Sequence, residues 1–441
     1  MTTFHNIHTL KKESYKTAIS GFVPPYVIVP LKQELGEECT AVVKEGDVVK
    51  EGQLLAESDL QNGLKKNIYS PIPGKVLKTE LCTTPDGRIV RALKIKLQGS
   101  FSYLGKRIVA KNTTYFSSSQ LIRQISEKGI LNTFVSNKPE NLALQLEKNS
   151  KSSHKFLIVR LFDDDPSRLS DRLITSLYFE EVVKGSELIA KAMNAQGIAF
   201  VCEENFIKSG KNKTIKTELQ NTFIPLNPKK YPCSFKKEII PIAKKITESN
   251  SPFCKISTKD IFIDSSTAYE TYTHISKDMP VIERHILVDG DCTAASGFVK
   301  VAIGTTIKSL AEHCGGFIKK PAAIIINGLV TGFSVGTLNV PITKYVKSVT
   351  FVPRIKAPDQ RMSVCIRCGS CRRNCPAKLS PDIIYRHITG GLRAEKEYLD
   401  SSLMCINCGL CNAVCPARLP LSQRINDFKN KLTISWENKN V

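Results

Sequence analysis

Residues 365–376 read CIRCGSCRRNCP, and residues 405–416 read CINCGLCNAVCP. Both runs place four cysteines at the spacing Cys-x2-Cys-x2-Cys-x3-Cys and end in proline, so one run duplicates the other. Two-residue spacers let three thiolates face one centre from a tight loop, and Gly369 and Gly409 allow that loop to turn closely. This duplication decides the architecture of the C-terminal region.

The spacing is that of the iron-sulfur runs of bacterial two-cluster ferredoxins, where the fourth cysteine of each run serves the other cluster. Soft thiolate ligands suit iron-sulfur chemistry. The pattern therefore predicts two [4Fe-4S] clusters. The ligands of the first are Cys365, Cys368, Cys371 and Cys415, and those of the second are Cys405, Cys408, Cys411 and Cys375. Zinc is the alternative, but structural zinc usually takes two separated Cys-x2-Cys pairs.

The composition is that of a globular protein of about three domains. Its 441 residues are 41% hydrophobic and 24% charged, which excludes a wholly disordered, collagen-like or coiled-coil chain. Fifteen cysteines and no signal-peptide pattern at the N-terminus predict a reducing, cytosolic compartment. The net charge of +22 predicts an acidic partner. The lysine-rich residues 205–255 are either a docking face for such a partner or a solvated surface.

Four segments differ in texture. Residues 1–104 carry short β-branched runs separated by glycine and proline, and residues 105–279 alternate strand and helix patterns. Residues 280–350 return to short strands around one helix at 305–313, and residues 351–441 hold the cysteine runs with helices at 380 and 392–399. The uncharged residues 321–343 contain proline, glycine and asparagine, which favours turns and short strands over a membrane helix.

The N-terminal segment resembles the lipoyl and biotinyl barrel-sandwich fold. The two half-motifs are EGDVVKEGQLLA at 45–56 and SPIPGKV at 70–76. The region between them, ESDLQNG at 57–63, lacks the lysine that carries the swinging arm in that fold. We therefore expect a structural module rather than an acyl carrier.

The order of the four segments resembles the RnfC family, which belongs to the Rnf electron transport complex. The resemblance rests on residues 40–80 and 361–425, and on GTTIKSLAEHCGG at 304–316 with INGLVTG at 326–332. It implies a multidomain α/β protein with four parts. These are a barrel-sandwich hybrid, a Rossmann-like α/β segment, an SLBB-like β-grasp domain and a helical double [4Fe-4S] ferredoxin-like domain.

The same resemblance implies a peripheral subunit on the cytoplasmic side of the cell inner membrane, within a redox-driven ion translocase. Its implied partners are other Rnf-type membrane subunits, an anionic membrane surface, and an acidic ferredoxin or flavodoxin, or NADH, as electron donor. Nucleic acid is not expected, since aromatic residues are sparse among the lysines of 205–255. The alternative is a soluble flavin and iron-sulfur reductase similar to the cobalamin reductases of bacterial microcompartments.

Many members of that family carry a glycine-rich loop for FMN and NADH. The equivalent stretch here, KGILNTFVSNKP at 128–139, keeps only Gly129 and Pro139. Bulky side chains in place of glycines hinder a close approach of the backbone to phosphate, so this loop disfavours FMN and NADH. No residue is assigned to them, and Asp163–Asp165, in the place of the family's acidic segment, are expected to form a solvated turn.

Overall fold

A computed structural model describes residues 18–19, 22–34, 36–113, 115–150, 155–210, 217–247, 251–354 and 363–437. Part of the lysine-rich stretch, residues 211–216 and 248–250, lies outside these ranges. Among the described helices, none combines the length and the apolar character that a membrane crossing requires. The chain forms three β-containing layers followed by a helical segment that carries the cysteine runs.

The N-terminal region is a pair of small antiparallel sheets packed face to face. One sheet has the order β2-β8-β7-β4 and the other β3-β5-β6, with Val29, Leu55, Val76 and Ile95 buried between them. The strands up to residue 97 are β1 (Ala18–Ile19), β2 (Tyr26–Pro30), β3 (Thr40–Ala41), β4 (Val48–Val49), β5 (Leu54–Asp59), β6 (Lys65–Tyr69), β7 (Gly74–Thr83) and β8 (Ile89–Leu97).

The central region is a parallel four-stranded sheet with helices on both faces. The fully buried strand at its centre is FLIVR, whose lack of alternation is typical of a strand covered on both sides. The elements are α1 (Ser118–Lys128), β9 (Leu131–Asn132), β10 (Glu140–Asn141), α2 (Leu142–Ser150), β11 (Phe156–Arg160), α3 (Ser170–Leu177), α4 (Phe179–Ala192), β12 (Gly197–Glu203), α5 (Glu204–Lys208), β13 (Asn221–Leu226), α6 (Lys236–Ile246), β14 (Ile261–Asp264) and α7 (Ser265–Ser276). The sheet order is β13-β12-β11-β14, so the direction of winding reverses between β11 and β14.

The third layer is a mixed six-stranded sheet of order β1-β16-β15-β19-β17-β18, against which one helix packs. Thr306 begins that helix by accepting a hydrogen bond from the Ser309 N–H, as the sequence predicts. The uncharged residues 321–343 form two short strands and turns. The elements are β15 (Glu283–Asp289), β16 (Gly297–Ala302), α8 (Ile307–His313), β17 (Ala323–Ile326), β18 (Phe333–Val335) and β19 (Ser348–Val352).

The C-terminal segment is helical and repeats a loop-helix unit. Its helices are α9 (Ser370–Arg373), α10 (Pro381–Ile388), α11 (Lys396–Asp400), α12 (Leu410–Ala413) and α13 (Leu421–Glu437). Proline opens α10 because the first helical position needs no N–H donor. The helix predicted for residues 392–399 forms only from Lys396, since a Gly390-Gly391 pair precedes it.

Asp163–Asp165 are not a solvated turn, and that expectation is wrong. Their exposed fractions are 6%, 3% and 1%. Asp163 accepts 2.8 Å from Arg168 Nε and also from the backbone N–H groups of Asp171 and Arg172, which begin α3. The acids are buried because each is met by cations and N–H donors, and the sequence shows no local pattern for such partners.

The middle acid of the three has the strongest cationic surroundings. Burial works to raise the pKa of Asp164, but the charges of Arg168 and Arg160 outweigh it and lower this pKa to about 2. Its carboxylate also accepts hydrogen bonds from the Ser136 N–H and hydroxyl, at 3.2 and 3.0 Å. The acid therefore ties the loop before α2 to the loop after β11.

Asp165 fixes a turn of the third layer, residues 328–332. Its Oδ2 accepts from the N–H groups of Val330 and Thr331 at 2.9 and 2.7 Å, and from the Thr331 hydroxyl at 3.0 Å. Gly328 has φ +106°, and a Cβ there would lie 2.3 Å from the Asp165 carboxyl carbon. The turn can follow this course only with glycine at 328.

Lys347 links two further acids of the same buried group. Its Nζ donates to Asp171 at 2.8 Å and to Asp264 at 2.6 Å, and all three side chains are fully buried. Asp264 also begins α7 by accepting from the Thr267 N–H. A single cation therefore joins the starts of α3 and α7 to β19.

We predict that Lys347→Met lowers the free energy of unfolding by about 3–5 kcal/mol, because it leaves two buried carboxylates without their cation. Urea unfolding followed by circular dichroism measures this change. Lys308→Met, at an exposed position of α8 with a side chain 57% exposed, is the matched control and should change stability by less than about 0.5 kcal/mol. Equal stability of the two variants would contradict this account.

A second prediction concerns Glu270 of α7, which lies 3.5 Å from Arg284 in a buried site. Burial raises its pKa from 4.5 to about 7, against the opposing charge of Arg284. The folded protein therefore holds this proton more tightly than the unfolded chain, so stability falls as pH rises from 4.5 towards 7. The loss attributable to this carboxyl is about 3 kcal/mol.

Glu270→Gln should remove that part of the pH dependence. Urea unfolding between about pH 5 and pH 8 compares the slopes of wild type, Glu270→Gln and the exposed control Glu312→Gln. The control should keep the wild-type slope. A Glu270→Gln slope identical to wild type would count against a raised pKa.

Candidate metal centre

Two cavities in the C-terminal segment are each lined by four cysteines. The first cavity is lined by Cys365, Cys368, Cys371 and Cys415, together with apolar residues of both runs. The second is lined by Cys375, Cys405, Cys408 and Cys411. Each cavity thus combines three thiols of one run with the fourth thiol of the other, which is the grouping expected from the sequence.

The duplicated runs have the same backbone geometry. Arg367 and Asn407 both have φ +56°, and Gly369 and Gly409 both have φ +71°. These left-handed residues close the loop between the first and third cysteines, and a single helical turn, α9 or α12, follows each glycine. The left-handed region suits glycine and asparagine better than arginine, so Arg367 is the least comfortable of the four.

The exchange of the fourth cysteine follows from the way the two halves pack. Lys378 and Arg418 both have φ +53° and turn the chain after the fourth cysteine and its proline. Helices α10 and α13 then pack together through Leu379, Ile384 and Ile425, with Cys375 and Cys405 against them. Two antiparallel copies joined in this way bring the end of one run to the start of the other.

The thiols differ in their surroundings. Burial raises the pKa of Cys371 to about 11 and that of Cys408 to about 12. Hydrogen bonds with Ser370 lower the pKa of Cys368, which is exposed. Because thiolates are the ligand form, the buried thiols need the positive charge of bound metal to lose their protons.

In the described parts of the chain, no group of three or more His, Cys, Asp or Glu side chains has the arrangement of a site for one metal ion. A cubane cluster differs from a single ion, since each of its four thiolates binds a separate iron atom. Four thiols spread around a cavity suit that geometry.

The cysteines outside the two runs do not join either cavity. Most are buried in the cores of the other regions and behave as small apolar side chains. Burial raises the pKa of Cys39 to about 11 and that of Cys202 to about 12, so these thiols are protonated at neutral pH. The seven are Cys39, Cys82, Cys202, Cys233, Cys254, Cys292 and Cys314.

The loop at 128–139 packs directly onto the buried acids. The Thr133 hydroxyl donates 2.9 Å to Asp264, and Arg160 NH2 donates 2.8 Å to the Phe134 carbonyl. Ligands of open α/β sheets bind outside the carboxyl ends of the strands where the winding reverses. Here that crevice, between β11 and β14, is filled by Arg160, Asp264 and Lys347, which sequence reasoning did not identify.

The second cysteine loop rests on the body of the protein. The Tyr231 hydroxyl donates 2.5 Å to the Cys408 carbonyl, and Tyr231, Phe235, Cys408 and Leu410 form one apolar group. A Cβ at Gly409 would lie 2.4 Å from the Val330 carbonyl oxygen, within the turn that Asp165 holds. Buried acids, turn and cysteine loop are therefore in direct succession.

Two family models match the chain. Residues 5–100 match the RnfC barrel sandwich hybrid domain, and residues 361–420 match the 4Fe-4S dicluster domain. The chain is 26% identical to the RnfC-type component of the ion-translocating oxidoreductase complex of Rhodobacter capsulatus, over 84% of this chain and 71% of the relative. The resemblance to the RnfC family is confirmed.

Other relatives agree with this RnfC assignment. The chain is 26% identical to the corresponding component of the proton-translocating ferredoxin:NAD(+) oxidoreductase complex of Clostridium ljungdahlii, over 82% of this chain and 78% of the relative. The corresponding component of the ion-translocating oxidoreductase complex of Haemophilus influenzae is 27% identical over 81% of this chain but only 53% of its own length. A solved NAD+-reducing [NiFe]-hydrogenase is similar at TM-score 0.47 and 12% identity, covering 72% of this chain and 61% of its own.

The two loop glycines give a matched pair of variants. We predict that Gly409→Ala destabilises the contact between the cysteine loop and the 328–332 turn by about 1–3 kcal/mol, since the new methyl meets a backbone oxygen. Gly369→Ala carries the same left-handed strain, but its nearest neighbour is the movable Arg373 guanidinium at 3.1 Å.

Thermal unfolding and limited proteolysis of both variants measure the difference. Gly409→Ala should unfold at lower temperature and expose the C-terminal segment to cleavage, whereas Gly369→Ala should stay closer to wild type. If both variants lose equal stability, left-handed strain alone accounts for the effect and the clash with Val330 does not.

Proposed function

We propose that this chain is the iron-sulfur subunit of an Rnf-type, redox-driven ion-translocating complex, in which it relays single electrons between a soluble donor and membrane redox subunits. The observation that carries the proposal is the grouping of the thiols. Two cavities, each lined by four cysteines exchanged between the runs, lie in a chain related to RnfC. When bound, iron-sulfur clusters supply one-electron redox chemistry.

We propose two [4Fe-4S] clusters with exchanged fourth ligands. Cys365, Cys368, Cys371 and Cys415 hold the outer cluster, and Cys405, Cys408, Cys411 and Cys375 hold the inner one. The protein's own contribution is to orient these thiols, exclude water and donate hydrogen bonds to sulfur. The Leu379 N–H lies 3.3 Å from Cys375 Sγ, and the Asn407 N–H lies 3.4 Å from Cys405 Sγ.

We further propose the finer domain assignment that the sequence indicates. Residues 1–104 are the barrel-sandwich domain, 105–279 a Rossmann-like α/β domain, 280–350 an SLBB-like β-grasp domain and 351–441 the double-cluster domain. The parallel sheet with helices on both faces supports the second, and the mixed sheet around α8 supports the third. The lipoyl-like hairpin between β5 and β6 has no lysine at its tip, which supports a structural role for the first.

We propose that the chain does not use FMN or NADH. A phosphate needs exposed N–H groups and open space at the carboxyl ends of the strands. In this chain the acids Asp171 and Asp264 take up the cation of Lys347, and the 128–139 loop covers them. A buried carboxylate pair in that position repels a phosphate rather than binding it.

The proposed surroundings follow from charge and from the relatives. A net charge of +22 attracts an acidic ferredoxin or flavodoxin, and would also hold the chain on an anionic, cytoplasmic membrane face beside other Rnf-type subunits. Such attraction weakens as salt rises, because exposed charges are screened.

The cysteine assignment is tested by serine variants of the reconstituted chain. We predict that Cys375→Ser and Cys408→Ser alter the same electron paramagnetic resonance signal, although they lie in different runs. Cys371→Ser and Cys415→Ser should alter the other. Each variant should lose up to about four iron atoms per chain, and the control Cys314→Ser should lose none.

A ligand set confined to one run would instead pair Cys375→Ser with Cys371→Ser, and zinc without labile sulfide would exclude the relay altogether. Anaerobic reduction by NADH with added FMN, compared with reduced ferredoxin, tests the missing nucleotide site. Rapid bleaching of the cluster absorbance by NADH would contradict that part of the proposal and favour a soluble flavin reductase.

A further inference from the structure

The two cysteine loops share a backbone but have opposite surroundings. The inner loop, residues 403–414, lies against Tyr231, Phe235 and Val330. The outer loop, residues 363–374, faces solvent: Cys368 is exposed, Val364 is 87% exposed and Ile366 is 64% exposed. Ile406, the counterpart of Ile366, is packed against the body. The fold has therefore covered one copy of the motif and left the other accessible.

The accessible copy is also the charged one. From residue 363 to residue 381 the sequence contains four basic residues and no acid. Arg367 and Arg373 of the outer loop correspond to Asn407 and Ala413 of the inner loop. The duplication thus provides an internal comparison, in which charge was added only on the exposed side.

The arginines of the outer loop are used in different ways. Arg372 is neutralised by Asp382, to which it donates twice at 2.6 Å. Arg373 donates 3.0 Å to the Cys368 carbonyl, which keeps its charge beside the loop. Within the described residues, no hydrogen bond or ion pair holds the Arg367 guanidinium, which is exposed. Arg367 keeps this place despite a left-handed φ of +56°, so local backbone preference does not explain it.

We propose that the outer loop is the docking surface for a small acidic ferredoxin-type protein. Its exposed Val364 and Ile366 supply the apolar centre of the contact, and Arg367 and Arg373 supply the basic rim. A basic rim steers an acidic partner and fixes its orientation. One electron passes: the reduced ferredoxin is oxidised by one electron and this chain's outer centre is reduced by one, with no bond made or broken. The inference rests on the proposed electron-relay function and locates its entry point.

The test compares variants of the full, reconstituted chain. Arg367→Asn copies the inner loop, removes the charge and suits the left-handed backbone, so it should fold as wild type does. Arg367→Glu reverses the charge. Lys96→Glu, on an exposed position of β8, is the charge-matched control. The probe is a purified acidic two-cluster bacterial ferredoxin, and two measurements are made: its dissociation constant at low and high salt, and the stopped-flow rate at which it reduces this chain.

Arg367→Asn should weaken binding severalfold, and Arg367→Glu by about tenfold or more, with a shallower salt dependence in both. Reduction by ferredoxin should slow in parallel, whereas reduction by the small anion dithionite should change much less. Lys96→Glu should bind ferredoxin within about twofold of wild type.

The proposal is overturned if the ferredoxin fails to bind the wild-type chain, or if Arg367→Glu and Lys96→Glu bind it equally well. Those outcomes leave the relay function standing as long as dithionite still reduces the clusters. Failure of the function itself looks different, because the wild-type chain would then contain no reducible clusters at all.

Discussion

The contact of Asp163–Asp165 with Arg168 and the 328–332 turn is the constraint on which the rest of the structure depends. Three adjacent carboxylates with exposed fractions of 6% or less require full compensation. Arg168, donors at the start of α3, and N–H groups from two other loops supply it. Since these donors come from different elements, the parallel sheet, the mixed sheet and the 128–139 loop have one mutual arrangement.

That arrangement extends to the metal centre through a single turn. Asp165 fixes the 328–332 turn, and the carbonyl of Val330 lies so close to Gly409 that only glycine fits there. Tyr231 adds a hydrogen bond to the Cys408 carbonyl. The position of the inner cysteine loop is thus set by buried charge some distance away in the sequence, and the outer loop follows because the two halves share α10 and α13.

Local patterns in the sequence predicted much of this architecture. The cysteine spacing gave the grouping of thiols around two cavities, and the hydrophobic runs gave β11, β12 and most of α4, which begins at Phe179 rather than Val182. The thiol grouping was accessible because ligand spacing is a local property. The buried acids were not, because Lys347 and Asn327 reach their cluster from positions more than 150 residues away in the chain. Polar runs read alone resemble solvated turns, and only tertiary partners distinguish the two cases.

The unequal burial of the two cysteine loops has an evolutionary consequence. Substitutions in the inner loop must satisfy a close backbone neighbour, whereas the outer loop, exposed at Val364, Ile366 and Arg367, is free of that demand. After a duplication, one copy can thus remain the foundation while the other drifts. A lineage could change the surface charge of the drifting copy and acquire a new redox partner, and the scaffold that holds the iron would be inherited unaltered.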